Sequence, residues 1–384
     1  MSKMISVLAQ SSGSCVLSIA LLASSASAQQ TLTWEQAKAI GVYGFVASAG
    51  GSVGLLAGGV LTQSINWHWI FFVNVPIGLV TALAAVRLLQ DSPGVGLRAG
   101  ADVPGAVLIV AALMLAVYTI VAPVAEHGWG SSTALLCAAG TLVLLAAFLV
   151  REARARTPLV PLRIFRSADV AAANAIQALL VAGMFGMFFL GALYLQGVLG
   201  YDALQIGGAF LPTTIVMGTL SLRYSERLIM RFGARRTLLP GMVLVAAGLV
   251  LFARVPVHGS YVVDLLPVML LLGAGVGSSF PALMTLAMSG VAREDSGLAS
   301  GLVNTTAQVG GALGLAVLAT VAATRTRTLE HAGTAHAAAL TSGYHVAFVV
   351  AAALVGGAIV IAGLVARAPR TQAVAERAEG AEAA

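Results

Sequence analysis

The chain has 384 residues, of which 59% are hydrophobic and only 9% are charged. A composition this apolar excludes a sizeable water-soluble domain, and a net charge of +6 made up of loop residues does not predict a nucleic-acid partner. Cys15 and Cys137 are too few and too far apart to predict a disulfide framework or a metal site. We therefore predict no metal, no cofactor and no nucleic acid.

Ten apolar segments each approach the ~20 residues that a helix needs to cross a ~30 Å hydrocarbon core. Lipid requires every backbone polar group to be satisfied within the protein, so these segments are predicted to be helices. They are 41–62, 68–88, 103–123, 131–150, 169–196, 203–222, 236–253, 262–286, 297–320 and 344–366. The predicted fold class is all-α, a polytopic membrane helix bundle.

The basic residues fall almost entirely on one side of the predicted membrane. If the chain starts inside, the outer loops hold only Arg254, Arg325 and Arg327 of the 21 Lys and Arg residues. The positive-inside rule then places both termini in the cytoplasm. We predict a multi-pass protein of the bacterial cytoplasmic (inner) membrane, with the lipid bilayer as its first partner.

The first 36 residues differ from the rest of the chain. Lys3, the apolar run 15–23 and the small residues 26–28 are typical of a secretory signal, but the run is too short to span a membrane. A cleaved signal would also reverse the orientation that the basic loops favour. We interpret 1–36 as an unrelated leader, either poorly ordered or mis-joined; the alternative is a working signal peptide.

Glycines recur every fourth residue in the first span, at Gly50, Gly54 and Gly58, with Gly59 beside the last. Such a stripe lets another helix approach closely, which is also its plain packing interpretation. The segment that follows, NWHWIFFVNVPIG, holds Trp67, Trp69, Ile70, Phe71, Asn74, Pro76, Ile77 and Gly78.

This region, from GVYGFVASAGG onward, resembles the fifth and sixth helices of the 14-helix drug:proton antiporters of the major facilitator superfamily. The antiporter motif of that family reads G-x-x-x-G-P-x-x-G-G, and Leu55 stands here where the motif has proline. Two further segments are similar to the family: GLASGLVNTTAQVGG from Gly297 to its thirteenth helix, and SERLIMRFGARR to the basic loop between its tenth and eleventh helices. The resemblance extends from about Ala37 to about Ala366.

The resemblance implies a truncated major facilitator fold that lacks the first four helices of the family. It divides the chain into a leader (1–36), a two-helix remnant of the N-terminal half (37–90), an extra helix pair (91–150), a basic cytoplasmic linker (151–168), a six-helix C-terminal half (169–366) and a disordered cytoplasmic tail (367–384). Independently, no span holds an ionisable residue near its middle, since Arg87, Asp169, Arg236 and Asp264 all lie at span ends. A proton-coupled carrier needs a titratable group at depth, which agrees with missing helices.

Uncharged polar residues remain at depth. An amide in lipid is costly unless it is paired or faces a wet cavity. Asn174 and Gln177 share one helical face, as do Asn304 and Gln308. With Gln196 and Phe188 they are candidate substrate-lining residues; the alternative is that the amides form hydrogen bonds between helices, and that Phe188 is ordinary packing.

The basic loop at 223–236 has two interpretations. It anchors the cytoplasmic face, or it forms an inner gate in which Glu226, Arg227, Arg235 and Arg236 pair across helix ends and separate during transport.

The family resemblance favours a multidrug-type efflux permease that exchanges an apolar or cationic drug-like molecule for protons. The alternative is a transport-incompetent fragment that needs a separate N-terminal piece. An intramembrane enzyme requires clustered His, Asp, Glu or Ser–Lys at depth, and the spans offer none, so we predict that the chain is not an enzyme.

Overall fold

A computed structural model of the chain describes residues 50, 54, 56–88, 102–128, 130–155, 157–289, 291 and 295–367. Every regular element in this part of the chain is helical, and nine of its helices are long and apolar enough to cross a membrane. The predicted all-α membrane bundle is confirmed. The leader (1–36), most of the first predicted span and the tail beyond Arg367 lie outside the described residues.

The helices are numbered here in chain order. They are α1 (56–64), α2 (Trp69–Leu88, with a break at Val73), α3 (Val103–Thr119), α4 (Ser132–Arg154), α5 (Ala168–Gly197), α6 (Ala203–Arg223), α7 (Ser225–Phe232), α8 (Ala234–Phe252), α9 (Leu266–Met288), α10 (Ser296–His331) and α11 (His336–Arg367). Short π-helical turns follow α3 at Ile120–Val124 and precede α9 at Tyr261–Leu265, and a 3-10 turn, Leu162–Arg166, precedes α5.

Local sequence signals determine where several helices start. Asp202 and Gln205 form a reciprocal capping box at the start of α6, in which the side chain of each accepts a hydrogen bond from the backbone N–H of the other. Ser167 caps α5 by accepting from the backbone N–H of Val170. Gly233 joins α7 to α8 with a φ of 82°, a conformation that favours glycine.

Six helices, α5, α6, α8, α9, α10 and α11, share one hydrophobic core. Helix α5 packs against α9, α10 and α11, while α6 packs on α9, α9 on α8, α8 on α11 and α11 on α10. The end at which α5, α8 and α10 begin is called the basic end below. The opposite end, where α5 ends and α11 begins, is called the aromatic end.

Stacked and edge-on rings fill the core near the aromatic end. Phe252 and Phe348 stack with centroids 4.3 Å apart, and Tyr194 meets the ring of Phe252 edge-on at 6.1 Å. The Tyr194 hydroxyl donates to the carbonyl of Pro256 at 2.7 Å, which ties the loop after α8 to the end of α5. This end of the bundle is therefore held by both packing and a directed hydrogen bond.

Helices α3 and α4 form a separate pair that meets the core bundle mainly at α10. Pro123 lies in the π-helical turn after α3, and the Thr320 hydroxyl of α10 donates to the carbonyl of Ile120 in that turn, at 3.4 Å. Helix α2 differs from all the others because none of its residues is buried.

Helices α5 and α10 cross at a glycine–alanine contact. A Cβ added at Gly310 would lie 2.7 Å from the Cα of Ala178, and one added at Gly314 would overlap the Cβ of Ala182. Glycines four residues apart on α10 thus let its backbone reach that of α5, which is how helices in lipid gain dispersion contacts.

We expect Gly314→Ala to lower the thermal stability of the purified protein in detergent, because the added methyl overlaps Ala182. Overpacking of this kind costs about 1–3 kcal/mol. Gly356→Ala in α11 is the matched control, since its Cβ meets no atom within 4 Å and the change favours helix by up to about 1 kcal/mol. Equal melting temperatures for the two variants would contradict a tight α5–α10 contact.

Candidate functional site

An exposed row of small and polar residues runs along the first half of α10. Its members recur every three or four residues and so share one helical face. This polar stripe consists of Gly297, Gly301, Asn304, Thr305 and Gln308. Because α10 is a membrane span, amides on its exposed face would be costly against hydrocarbon. The stripe therefore fits a water-filled space or another polar surface.

The two predicted amides of α5 lie beside this stripe but are buried. The Asn174 carboxamide donates to the carbonyl of Val170 at 2.9 Å and accepts from the Thr306 hydroxyl of α10 at 2.9 Å. Asn174 thus forms the hydrogen bond between helices that the sequence left as the alternative to substrate lining. Gln177 is 1% exposed and its Oε1 has no hydrogen-bond partner, so it is an unsatisfied buried acceptor close to the α5–α10 contact.

The structure does not bring all six predicted lining residues together. Gln196 is exposed near the end of α5, roughly 30 Å along the helix from Gln177. Phe188 is half-buried and packs against Phe210 of α6, with centroids 5.4 Å apart. Asn304 and Gln308 are the members whose side chains are exposed on the polar stripe.

The glycines of the first span are mostly open. A Cβ at Gly50, Gly54 or Gly58 meets no atom within 4 Å, whereas one at Gly59 would lie 2.8 Å from the carbonyl oxygen of Ala203. Of these four glycines, Gly59 is therefore the one that lets another part of the described chain, the start of α6, approach closely.

At the basic end, Arg235 pairs with Asp169, which joins the start of α8 to the start of α5. Both side chains are about three-quarters buried. The other predicted gate residues are arranged differently. Arg227 and Arg236 are exposed, and Glu226 is half-buried with an Oε1 that has no hydrogen-bond partner. Sequence reasoning placed Asp169 at a span end without its partner, since the packing of α5 against α8 decides that pairing.

Sequence reasoning did not select two further acids, of which one joins α3 to α4 and the other holds the linker between α4 and α5. Asp102 caps α3 and pairs with Arg151 of α4 at 2.9 Å, and this bonding lowers the pKa of the Asp102 carboxyl. Buried Glu152 accepts from the backbone N–H groups of Leu159 and Val160 at 3.3 and 3.1 Å. The sequence signal that could have identified this site is the charged pair Arg151 and Glu152, which stands directly before a linker that contains proline.

The linker then packs onto the bundle. Ile164 is buried with Val170 of α5 and Ala299 of α10. Arg163 pairs with Asp295, just before α10, at 3.0 Å. The linker therefore contacts the start of α5 and the start of α10, the helix that carries the polar stripe. In the part of the chain that the structure describes, no three His, Cys, Asp or Glu residues group as a metal would require.

The sequence profile of the Major Facilitator Superfamily matches residues 4–315. The chain belongs to this superfamily. The matched residues include the polar stripe, the linker and the basic end. It also begins at residue 4, within the stretch 1–36 that the sequence predicts to be an unrelated leader.

Several relatives within the superfamily have names that refer to drug resistance, drug transport or export. The chain is 34% identical to the puromycin resistance protein pur8 of Streptomyces alboniger, over 86% of this chain and 66% of that protein. It is 37% identical to the cephamycin export protein CmcT of Amycolatopsis lactamdurans, over 75% of this chain and 59% of that protein. It is 24% identical to the multidrug transporter protein MdtP of Bacillus subtilis, over 75% and 52%. The chain thus spans between half and two thirds of the length of these relatives. The superfamily is one of membrane transporters and not of enzymes.

We expect the Asp169–Arg235 pair to contribute more stability than the exposed Arg163–Asp295 pair, in which Arg163 is 67% exposed. A double-mutant cycle with Asp169→Asn and Arg235→Gln should give a coupling energy of about 1–2 kcal/mol, between the values for exposed and buried pairs. The matched cycle with Arg163→Gln and Asp295→Asn should give less than about 1 kcal/mol. Both coupling energies are obtained from thermal stability in the same detergent. A larger coupling energy for Arg163–Asp295 would show that the Asp169–Arg235 pair does not contribute the greater stability.

Proposed function

We propose that this chain acts in the export of small drug-like molecules, apolar or cationic, in exchange for protons. The names of its relatives support a drug-like small molecule as the cargo, because they refer to puromycin resistance, cephamycin export and multidrug transport. The exposed polar stripe of α10 is the observation on which the proposal depends. The stripe lies on a helix that is long and apolar enough to cross the membrane, and it offers amide and hydroxyl groups to a solute.

The stripe is suited to a permissive cargo site. Asn304 donates to the carbonyl of Ser300 and Thr305 to that of Gly301, so their local hydrogen bonds are satisfied while an acceptor on each remains open. Gly297 and Gly301 leave space beside them. Phe185 of α5, 43% exposed, adds apolar surface beside Gly311 of α10, and Phe189, 47% exposed, lies one turn further along α5. Such a mixture of few polar groups and adaptable apolar surface is typical of small-molecule sites.

Among the described residues, the carboxylates that could couple export to protons lie at span ends. No span there holds Asp, Glu, Lys or Arg near its middle. Asp169 pairs with Arg235, Glu226 is half-buried, and Asp264 accepts from the backbone N–H of Ser260 at 2.7 Å. Asp169 and Glu226 lie at the basic end, where binding of a proton to a carboxylate would replace its attraction to a nearby arginine.

The proposed arrangement follows the 14-helix branch of the superfamily. Residues 169–366 form the C-terminal half, 91–150 provide the extra pair and 37–90 belong to the N-terminal half. The basic end faces the cytoplasm of a bacterium, as do both termini. Support comes from the shared core of α5 to α11, the separate α3–α4 pair and the arginines at one end.

A second candidate is that the chain does not transport alone and needs a separate N-terminal piece. The observation that favours it is α2, in which no residue is buried although the helix is long enough to span a membrane. A transporter requires two bodies that move around a shared site, and α1 and α2 supply few of the contacts expected of one.

Reconstitution in liposomes with an imposed pH gradient separates the two candidates. Under the first, the chain alone drives gradient-dependent efflux of a cationic dye. Under the second, dye efflux is absent and appears when the first four helices of pur8 are co-expressed with the chain. Absence of efflux from both preparations, with folded protein in each, would contradict export as the function. Collapse of the gradient by an ionophore is the control for proton coupling.

A further inference from the structure

Helix α7 presents an outward face that combines arginines with large apolar side chains. Ser225 and Ile229 are buried and fix α7 against the bundle, with the Ser225 hydroxyl donating to the carbonyl of Gly277 at 2.8 Å. One turn apart on the opposite side, Arg227 and Arg231 are exposed. Between and beside them, Met230 and Phe232 are 54% and 48% exposed. These four residues are called the α7 basic face.

The position of α7 restricts what can cover this face. Single residues, Tyr224 and Gly233, join α7 to α6 and α8, which are both membrane spans. The helix therefore lies at the boundary of the hydrocarbon region. Exposed arginines at the flanking helix ends, Arg223 and Arg236, extend the charge, and Glu226 is the only acid between them.

We propose that the α7 basic face binds the headgroups of anionic phospholipids in the adjacent leaflet. Arg227 and Arg231 meet the phosphates, while Met230 and Phe232 lie below them among the first acyl carbons. Interfacial helices show this division between basic and apolar residues. The guanidinium of Arg231 lies 5.3 Å from the ring centroid of Phe232, which holds its charge next to the apolar side chain.

Charge complementarity favours an anionic lipid over a zwitterionic one. Basic residues near an anionic surface are attracted to it, and the attraction falls as salt screens it. The inference requires only that α6 and α8 span a membrane, which the superfamily membership supplies. It does not depend on transport or on orientation, so its failure would leave the proposed function standing.

The test compares phosphatidylglycerol and phosphatidylcholine binding to the purified full-length chain, by native mass spectrometry from detergent. In Arg227→Gln/Arg231→Gln, the preference for phosphatidylglycerol over phosphatidylcholine should fall on the order of tenfold. Arg227→Lys/Arg231→Lys should retain most of the preference, because the charge is kept. The matched control, Arg254→Gln/Arg325→Gln, removes two exposed arginines at the aromatic end and should retain the wild-type preference.

Wild-type preference in the double Gln variant, or an equal loss in the control, would overturn the proposal. If the double variant does not fold, each single Gln substitution should lower the preference for phosphatidylglycerol by less than about tenfold. An unchanged preference in both single variants would likewise overturn the proposal. A Met230→Ser/Phe232→Ser variant adds an independent measurement: it should weaken the binding of both lipids and leave their ratio unchanged.

Discussion

The close crossing of α5 and α10 positions the other features of this bundle. Gly310 and Gly314 bring the two backbones together at Ala178 and Ala182. The crossing sets Asn174 within hydrogen-bond distance of Thr306, and it turns the row from Gly297 to Gln308 away from the core. Lipid gives helices no hydrophobic reason to associate, so small residues and shared hydrogen bonds must supply the attraction. The candidate cargo surface is therefore a consequence of packing on the other side of the same helix.

The basic end is held by charge. Asp169–Arg235 joins α5 to α8, Arg163–Asp295 joins the linker to the start of α10, and Asp102–Arg151 joins α3 to α4. Glu152 adds two hydrogen bonds to the linker backbone. Together with buried Ile164, these contacts make the linker a physical connection between the α3–α4 pair and the starts of α5 and α10. Ion pairs of this kind have two discrete states, made and broken, which is the property that the proposed export would require at this end.

Hydropathy and charge predicted most of the fold. The span predicted at 169–196 is α5, Ala168–Gly197, and that at 203–222 is α6, Ala203–Arg223. The prediction at 297–320 ended early, because α10 continues through a polar segment to His331 with no glycine or proline to stop it before Gly333. Pairings were harder to predict. Asn174 bonds Thr306, and Arg235 pairs with Asp169; both choices depend on how far each helix is rotated and how it crosses its neighbour, which periodicity within one helix does not encode.

The central claim is that the polar stripe of α10 faces water inside the membrane. Thiol accessibility tests it directly, in a Cys15→Ala/Cys137→Ala background with Asn304→Cys or Gln308→Cys. Val360→Cys is the matched control, because Val360 is 61% exposed on α11 and lies between Ile359 and Ile361 in the sequence. In sealed membrane vesicles of both orientations, a membrane-impermeant maleimide should label the two stripe positions and leave Val360→Cys unlabelled. Stripe cysteines that stay as unreactive as Val360→Cys in both orientations would show that the stripe faces lipid or another helix, and would contradict its assignment as the cargo surface.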